Sequence, residues 1–142
     1  MVKQFWIISI LILIIDHITK YYAITTGKYI TNTGASFGIL QGNNTLLIIL
    51  AIIIMLALIY YTYQEYHLAY AFIMGGLLGN LLDRIVHGYV IDFIQLPFYT
   101  NFPYFNLADT ATTIGGILLI ITLIKESYQR TIQTKKGLNL RN

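Results

Sequence analysis

Cysteine is absent from this chain of 142 residues, and charged residues of either sign are scarce. Without a thiol, the chain has no route to a disulfide, to a cysteine nucleophile or to a thioether-linked lipid of its own. Charged residues make up 11% of the sequence, against about 25% in soluble domains, while 56% of the residues are hydrophobic. This balance excludes an ordinary soluble domain and predicts an integral membrane protein.

Four apolar stretches are long enough to cross a bilayer. They lie at roughly residues 5–24, 45–63, 68–86 and 106–124. Each comes close to the ~20 residues needed to cross about 30 Å of hydrocarbon. The first contains Asp16 and is followed by no Ala-x-Ala-like site, so we interpret it as a retained helix rather than a secretory signal. We therefore predict an all-α membrane protein, with residues 1–142 forming one integral domain of four transmembrane helices.

The basic residues predict the orientation of these helices. Six of the nine lie before the first span or after the last: Lys3, Lys125, Arg130, Lys135, Lys136 and Arg141. Four spans place both termini on one side, and the positive-inside rule makes that side the cytoplasm. The basic tail at 125–142 then faces anionic lipid headgroups, to which we expect it to bind. Because this tail is short and contains no known nucleic-acid-binding fold, we expect no nucleic-acid partner.

Two polar loops face the opposite, extracytoplasmic side. Loop one, residues 25–44, is rich in glycine, threonine and asparagine, and its β-prone stretch at 29–31 predicts a small sheet or platform. Loop two, residues 87–105, contains both prolines of the chain and seven aromatic residues. Such a composition is typical of a segment in the membrane interface, where an ordinary aromatic belt is the simplest interpretation.

Two aspartates stand at the outer ends of hydrophobic segments, Asp92 in "GYVIDF" and Asp109 in "FNLAD". A carboxylate at the centre of a membrane helix costs about 2.5–3.5 kcal/mol, and less near the interface, so such side chains usually have a function. Loop two joins the third and fourth helices, so Asp92 can return to face Asp109. Two close carboxylates share one proton, which suits activation of a water and protonation of a leaving amine. The alternative is that both are interfacial groups bonded to backbone.

The third helix carries a polar stripe in "GGLLGNLLDR", where Asn80, Asp83 and Arg84 occupy positions i, i+3 and i+4. These positions share one helical face, which an apolar helix turns toward the bundle interior or a cavity. For Asp83, an ion pair with Arg84 or with a neighbouring helix is the simpler interpretation. Gly75 and Gly79 form a small-xxx-small pair that allows close helix packing.

Other polar residues predict structure more than chemistry. In the first helix Asp16 and Lys20 stand at i and i+4, the favourable order for an ion pair, and we expect a structural clamp. The G-x-S-x-G match at 34–38 lacks the surroundings of an α/β-hydrolase, so Ser36 is not expected to be a nucleophile. The three histidines, His17, His67 and His87, are scattered. With no cysteine as well, we expect no metal site and no cofactor.

Five motifs in register with the four spans resemble the lipoprotein signal peptidases (signal peptidase II), a family of four-helix membrane aspartyl proteases. They are "DHITK" (16–20), "NTGASFG" (32–38), "GNLLDR" (79–84), "GYVIDF" (88–93) and "FNLADTATTIG" (105–115). The match departs from the family at His17, where glutamine is usual, and at Ser36, where alanine is common. Neither departure touches the aspartate pair.

The resemblance implies an endopeptidase that cuts prolipoproteins immediately before a diacylglyceryl-modified cysteine, at the outer face of the cell membrane, and that globomycin inhibits. It places the catalytic pair on Asp92 and Asp109. It places residues that line the substrate site or orient the scissile carbonyl on Asn32, Asn80, Arg84 and Asn106. Asp16 and Lys20 match a structural motif. The family fold adds a small β-cradle in loop one and an amphipathic helix in the second half of the extracytoplasmic region.

Two other functions remain open at this stage. A proton-conducting bundle would use Asp16, Asp83, Asp92 and Asp109 as a relay, since intramembrane carboxylates often mark ion paths. Three of those four residues lie near one membrane face, whereas a relay needs groups through the full depth. A catalytically inactive scaffold is disfavoured because both aspartates are present. The sequence leaves open which aspartate holds the proton, which lipoproteins are cut, and the oligomeric state, for which a monomer is one option.

Overall fold

Four long helices and one two-stranded sheet make up the fold. A computed structural model describes residues 2–35, 38–64, 68–99 and 101–139, without the side chains of 63–64 and 135–139. In chain order the elements are α1 (Val2–Thr26), β1 (Ile30–Asn32), α2 (Asn44–Gln64), α3 (Leu68–Val86), β2 (Val90–Asp92) and α4 (Leu107–Asn139).

All four helices contain a stretch long and apolar enough to cross a membrane: Val2–Thr26, Asn44–Thr62, Leu68–Val86 and Leu107–Thr134. The predicted architecture of four membrane helices with a small sheet is confirmed. The last helix is longer than its predicted span, because α4 runs on to Asn139 through most of the basic tail. Its 33 residues reach about 50 Å at 1.5 Å per residue. Lysine, glutamine, arginine and glutamate are good helix formers, and no proline interrupts them.

Helix α3 is the centre of the bundle and packs against α1, α2 and α4. A buried apolar cluster joins the first three helices through Phe5, Leu58, Ala71 and Met74. Beside it, the buried Ser9 hydroxyl donates to the carbonyls of Phe5 at 2.9 Å and Ala71 at 3.0 Å. The hydroxyl therefore links α1 to α3 in surroundings where water cannot serve as the partner.

Glycines on α3 and α4 let the backbones approach closely. A Cβ atom at Gly75 would lie 2.7 Å from Cβ of Ile12 on α1, and one at Gly79 would lie 2.6 Å from Oδ2 of Asp16. A Cβ atom at Gly79 would also come within 3.1 Å of Cβ of Ala108 on α4. The Gly75 and Gly79 pair therefore makes the close contacts that its spacing predicts.

The sheet joins loop one to the segment after α3. Strand β1 pairs antiparallel with β2, with Ile30 opposite Asp92 and Asn32 opposite Val90. The predicted strand at 29–31 is thus displaced by one residue, and its partner comes from loop two. The pairing fixes Asp92 on an ordered strand instead of leaving it in a free loop.

Loop two is closed by an antiparallel bridge between Ile94 and Phe105, with N–H···O distances of 2.8 and 3.0 Å. Its described residues, 87–99 and 101–105, form turns and short extended pieces and contain no helix. The amphipathic helix implied by the resemblance is therefore not present in that part of the chain. Pro97 and Pro103 each lack the N–H that a helix requires, which accounts for the irregular backbone.

Two neighbouring glycines on α4 provide a test of this packing. A Cβ atom at Gly115 would lie 2.7 Å from Cγ1 of Ile73 and 2.8 Å from the carbonyl oxygen of Ala69, whereas one at Gly116 meets nothing within 4 Å. We expect Gly115→Ala to lower the free energy of unfolding by about 1–3 kcal/mol through overpacking. Gly116→Ala should leave it unchanged or raise it by up to about 1 kcal/mol through helix propensity. Thermal unfolding in detergent measures both, and equal melting temperatures would contradict the packing of α3 against α4.

Candidate active site

The polar residues collect where the end of α3, the sheet and the start of α4 meet. A cavity of about 660 Å³ opens there. Its lining includes five of the residues singled out by sequence: Asn32, Asn80, Arg84, Asp92 and Asp109. The sixth, Asn106, is fully buried behind this wall. Because the aspartates come from β2 and α4, the fold brings together two groups that are 17 positions apart in the chain.

Asp92 is the last residue of β2, and its side chain is 1% exposed. The Asn32 amide Nδ2 donates to its Oδ2 at 2.9 Å, and the Asn106 Nδ2 donates to its Oδ1 at 2.7 Å. Burial raises the pKa of Asp92 to about 6, with a further contribution from the negative charge of Asp109. The two amide donors and the Lys20 ammonium oppose this shift. The net shift makes Asp92 a weaker acid than an ordinary aspartate.

Asp109 occupies the first turn of α4. Its Oδ1 accepts from Asn80 Nδ2 at 2.7 Å, and its Oδ2 accepts from the backbone N–H of Asn106 at 3.2 Å. In return, Asn106 Oδ1 accepts from the Asp109 N–H at 2.8 Å. This reciprocal pattern is a capping box, which satisfies free N–H groups at the start of a helix. The i, i+3 spacing of Asn106 and Asp109 is thus a helix cap that also fixes a carboxylate at the cavity wall.

Asn106 connects the two aspartates. One end of its amide donates to Asp92, and the other accepts from the backbone of Asp109. Its Nδ2 also lies 3.1 Å from Asn80 Oδ1 and 3.3 Å from the Ile91 carbonyl. A fully buried asparagine with every polar atom engaged is rigid. In this structure Asn106 holds the pair of carboxylates and is not part of the cavity lining.

Arg84 ties the end of α3 to loop one. Its Nη2 donates to the Gly34 carbonyl at 2.9 Å, and its Nη1 donates to the Asn80 carbonyl at 3.2 Å. Asn44, at the start of α2, donates to the Arg84 carbonyl at 3.1 Å. The guanidinium therefore shapes the cavity wall, and in the described part of the chain it makes no ion pair with Asp83.

A buried ionic cluster lies directly behind the site. Lys20 Nζ is 2.7 Å from Asp16 Oδ2 and 2.8 Å from Asp83 Oδ2, and all three side chains are at most 2% exposed. The predicted clamp between Asp16 and Lys20 is thus present, and Asp83 pairs with the neighbouring helix α1. Each carboxylate also accepts a backbone N–H, Asp16 from Ala108 at 2.8 Å and Asp83 from Ile91 at 3.1 Å. The cluster thereby fixes α1, α3, β2 and α4 relative to one another.

Some site residues escaped the sequence analysis. Lys20 also lies 3.1 Å from Asn80 Oδ1, so the structural pair reaches the site itself. The sequence did contain a signal for this contact. An ammonium group within a membrane helix is costly, so Lys20 could have been expected to need more than one partner. Thr110 and Thr113 line the cavity as well. Thr113 stands four residues after Asp109, so helical spacing alone places it on the same face.

The described residues contain no candidate metal site. No three or more histidine, cysteine, aspartate or glutamate side chains among them are placed to hold an ion. His17 and His87 are exposed. Ser36 and His67 lie outside the described residues. The arrangement that remains is a pair of carboxylates, each with two N–H donors, on one wall of a cavity. Such a pair suits general acid–base hydrolysis.

Comparisons with known proteins agree with this chemistry. The family model for signal peptidase (SPase) II matches residues 8–125. The lipoprotein signal peptidases of Staphylococcus aureus strains JH9 and Newman are each 39% identical over 146 residues, covering 87% of this chain and 90% of the relative.

Two solved structures of bacterial membrane enzymes are also similar. One has a TM-score of 0.82 and 36% identity, covering 89% of this chain and 91% of its own. The other has a TM-score of 0.77 and 37% identity, covering 88% of this chain and 95% of its own. The match therefore extends over sequence, fold and nearly the full length of both partners, and this chain belongs to the signal peptidase II family.

Proposed function

We propose that this chain is a membrane aspartyl endopeptidase that removes signal peptides from prolipoproteins, cutting the bond before a diacylglyceryl-modified cysteine. One observation supports this most directly. Asp92 and Asp109 line one cavity of about 660 Å³ and are both bonded to the buried Asn106. Membership of the family supports the reaction, and this geometry supports the choice of residues.

In the proposed mechanism Asp109 is the ionised member of the pair and Asp92 carries the proton. Both carboxylates accept two N–H donors, but Asp109 alone of the pair lies in the first turn of a helix, where the helix dipole favours negative charge. Asp92 is buried on the strand, and its raised pKa of about 6 makes it the better carrier of a proton. The two environments thus assign different roles to chemically identical groups.

The reaction then proceeds through water. Asp109 takes a proton from a water molecule between the carboxyls while the water oxygen attacks the scissile carbonyl carbon. Asp92 donates its hydrogen bond to the carbonyl oxygen as negative charge develops there. When the C–N bond breaks, the proton taken by Asp109 passes to the leaving amine of the lipidated cysteine. The second product is the free carboxyl end of the signal peptide.

The cavity walls fit an extended substrate. Asn32, Asn80 and Arg84 present polar groups along the side formed by α3 and loop one. Aromatic residues of loop two also line the cavity, including Phe102, Tyr104 and Phe105. We propose that the asparagines and Arg84 orient the peptide backbone, and that loop two closes over it as a lid. The diacylglyceryl group stays in the bilayer beside the cavity.

The same proposal includes the topology. Both termini lie in the cytoplasm, the cavity faces the outer side of the cell membrane, and residues 1–142 act as one membrane domain. The basic extension of α4 meets the headgroups of the cytoplasmic leaflet. A single copy of the chain supplies both aspartates and the cavity lining, which supports a monomer as the working unit.

Substitution of either aspartate tests the mechanism. We expect Asp92→Asn and Asp109→Asn each to reduce kcat by at least about 100-fold, because an amide retains shape but cannot exchange the proton. The measurement is cleavage of a diacylglyceryl-modified prolipoprotein by purified protein. Glu126→Gln is the matched control, since it removes a carboxylate on α4 about 25 Å along the helix from Asp109 and should retain full activity. Near-normal cleavage by a folded aspartate variant would remove that residue from the mechanism, and an inactive wild type would contradict the proposed function.

The pH dependence follows from Asp92. Because ionised Asp92 cannot donate to the carbonyl oxygen, we expect kcat/KM to fall as pH rises through about 6.

The stability of the folded protein should also fall as pH rises. The folded pKa of about 6 exceeds the ordinary value of 3.8, so the stabilising contribution of this group is complete below pH 3.8 and is lost as pH rises through about 6. Rates and melting temperatures measured from about pH 4.5 to 8 separate the two effects. A rate that rises steadily through this range would reverse the assigned roles.

The absence of cysteine allows a clean test of topology. We expect a single cysteine introduced by Lys28→Cys to react with a membrane-impermeant maleimide in intact cells. One introduced by Gln129→Cys should react only after the membrane is permeabilised. Both positions are exposed in the structure and lie outside the spans predicted from sequence, so we expect their accessibility to differ only by the side of the membrane. Labelling of Gln129→Cys in intact cells would invert the proposed orientation.

A further inference from the structure

Lys20 makes a contact that a purely structural ion pair does not need. Its ammonium group lies within hydrogen-bonding distance of three oxygens, two from the carboxylates of Asp16 and Asp83 and one from the amide of Asn80, at 3.1 Å. The side chain is 2% exposed, so water does not supply these partners. The third contact points away from the carboxylates and toward the active site.

The contact determines which way the Asn80 amide faces. An ammonium group can only donate, and it therefore requires the amide oxygen on its own side. Asn106 Nδ2 lies against the same oxygen at 3.1 Å. The Asn80 nitrogen is left facing Asp109, and it donates to Oδ1 at 2.7 Å. If the Asn80 amide were flipped, its NH2 group would face two donors, Lys20 and Asn106, and its oxygen would face the Asp109 carboxylate. Both contacts would then be repulsive.

Asp109 is accordingly held by a chain of contacts that begins on another helix. The chain runs from Lys20 on α1, through Asn80 on α3, to Asp109 on α4. Hydrogen bonds to the ionised form of a carboxylate stabilise that form.

We propose that Lys20 is a positioning residue of the peptidase, which orients the Asn80 amide so that Asp109 remains an ionised proton acceptor. This inference rests on the proposed function and assigns Lys20 a role beyond the structural clamp. The charged groups that interact with Asp109 are Lys20 and Asp16 from α1, Arg84 from α3, and Asp92 from β2. Among these, Lys20 is the one that reaches Asp109 through the Asn80 amide.

The alternative is that Lys20 serves only to neutralise Asp16 and Asp83. Removing it alone would leave two buried carboxylates without a cation, and the protein would then be expected to unfold whichever role is correct. The comparison must therefore preserve the charge balance of the cluster. Replacing Lys20 and Asp83 together does this, because the cluster keeps the net charge of −1 that two carboxylates and one ammonium give.

The experiment compares Asp83→Asn with the double variant Lys20→Met/Asp83→Asn. Asp83 uses Oδ2 for both Lys20 and the Ile91 N–H, so the amide oxygen introduced by Asp83→Asn can keep both contacts. The two variants then differ only at Lys20. The wild type, measured beside them, has the same cluster charge as the double variant, in which Asp16 keeps the N–H of Ala108. Their folding is checked by thermal unfolding in detergent, and kcat, KM and the pH profile are measured on a diacylglyceryl-modified prolipoprotein.

We expect Asp83→Asn to cut within about 10-fold of the wild type, since Lys20 and Asn80 are unchanged. The double variant should lose a further 10- to 100-fold in kcat, about the value of one hydrogen bond to a charged group, with KM changed by less than about 3-fold. The acid-side limb of its pH profile should move to higher pH by about one unit, because the proton acceptor has lost its aligned donor.

Each outcome decides the question. Equal kcat and equal pH profiles in the two folded variants would overturn the proposal, and so would a folded but inactive Asp83→Asn. An inactive wild type would instead overturn the proposed function, which keeps the two failures distinct.

If the double variant does not fold, a measurement on the wild type replaces it. Solid-state NMR dipolar dephasing, with nitrogen-15 at lysine Nζ and carbon-13 at asparagine Cγ, reports whether Lys20 contacts Asn80 in lipid. Dephasing at the distance of a hydrogen-bonded pair supports the proposal, and its absence overturns it.

Discussion

A buried charge inside a membrane bundle must find all of its partners within the protein, and the position of Lys20 between Asp16 and Asp83 satisfies this requirement. The remaining carboxylate interactions are directed to backbone N–H groups at the start of α4 and on β2. The ion pairs thus do more than join α1 to α3. They fix the start of the helix and of the strand that carry the two catalytic candidates, so the geometry of the site depends on a cluster that is buried behind the cavity.

Asn106 performs the second, more local step. A capping asparagine is common at the start of a helix, where it satisfies a free N–H group. Here the other end of the same amide extends to Asp92, so the start of α4 and the end of β2 are joined by a single side chain. Asp109 completes the reciprocal cap, which means that the residue proposed to accept the proton also stabilises the helix that carries it. The carboxylate of Asp109 therefore has both a structural and a proposed chemical role.

The sequence predicted the spans, the aspartate pair and the clamp between Asp16 and Lys20, because each depends on composition or on helical spacing within one element. It could not predict that β1 would find its partner after α3, since a three-residue strand has no pairing preference of its own. It also left Asp83 between two partners. Asp83 pairs with Lys20 and not with Arg84 because of how α1 packs against α3. That packing depends on the close contacts of Gly75 and Gly79 with α1, between residues far apart in the sequence. The continuation of α4 to Asn139 was missed because basic residues mark a membrane boundary without ending a helix.

The unbroken course of α4 has a consequence for how a cleavage site is chosen. Asp109 stands in the first turn of a rod whose apolar surface begins beside it and whose opposite end carries the basic residues. Hydrophobic matching and the basic anchors at the far end limit how far such a helix can shift along the membrane normal. The carboxylates are thereby held at a set elevation above the acyl chains. An anchored lipid fixes the height of the peptide bond next to it in the same way. In the proposed function, the height of the peptide bond above the membrane then contributes to its recognition, and this lowers the demand on the residues that surround the bond.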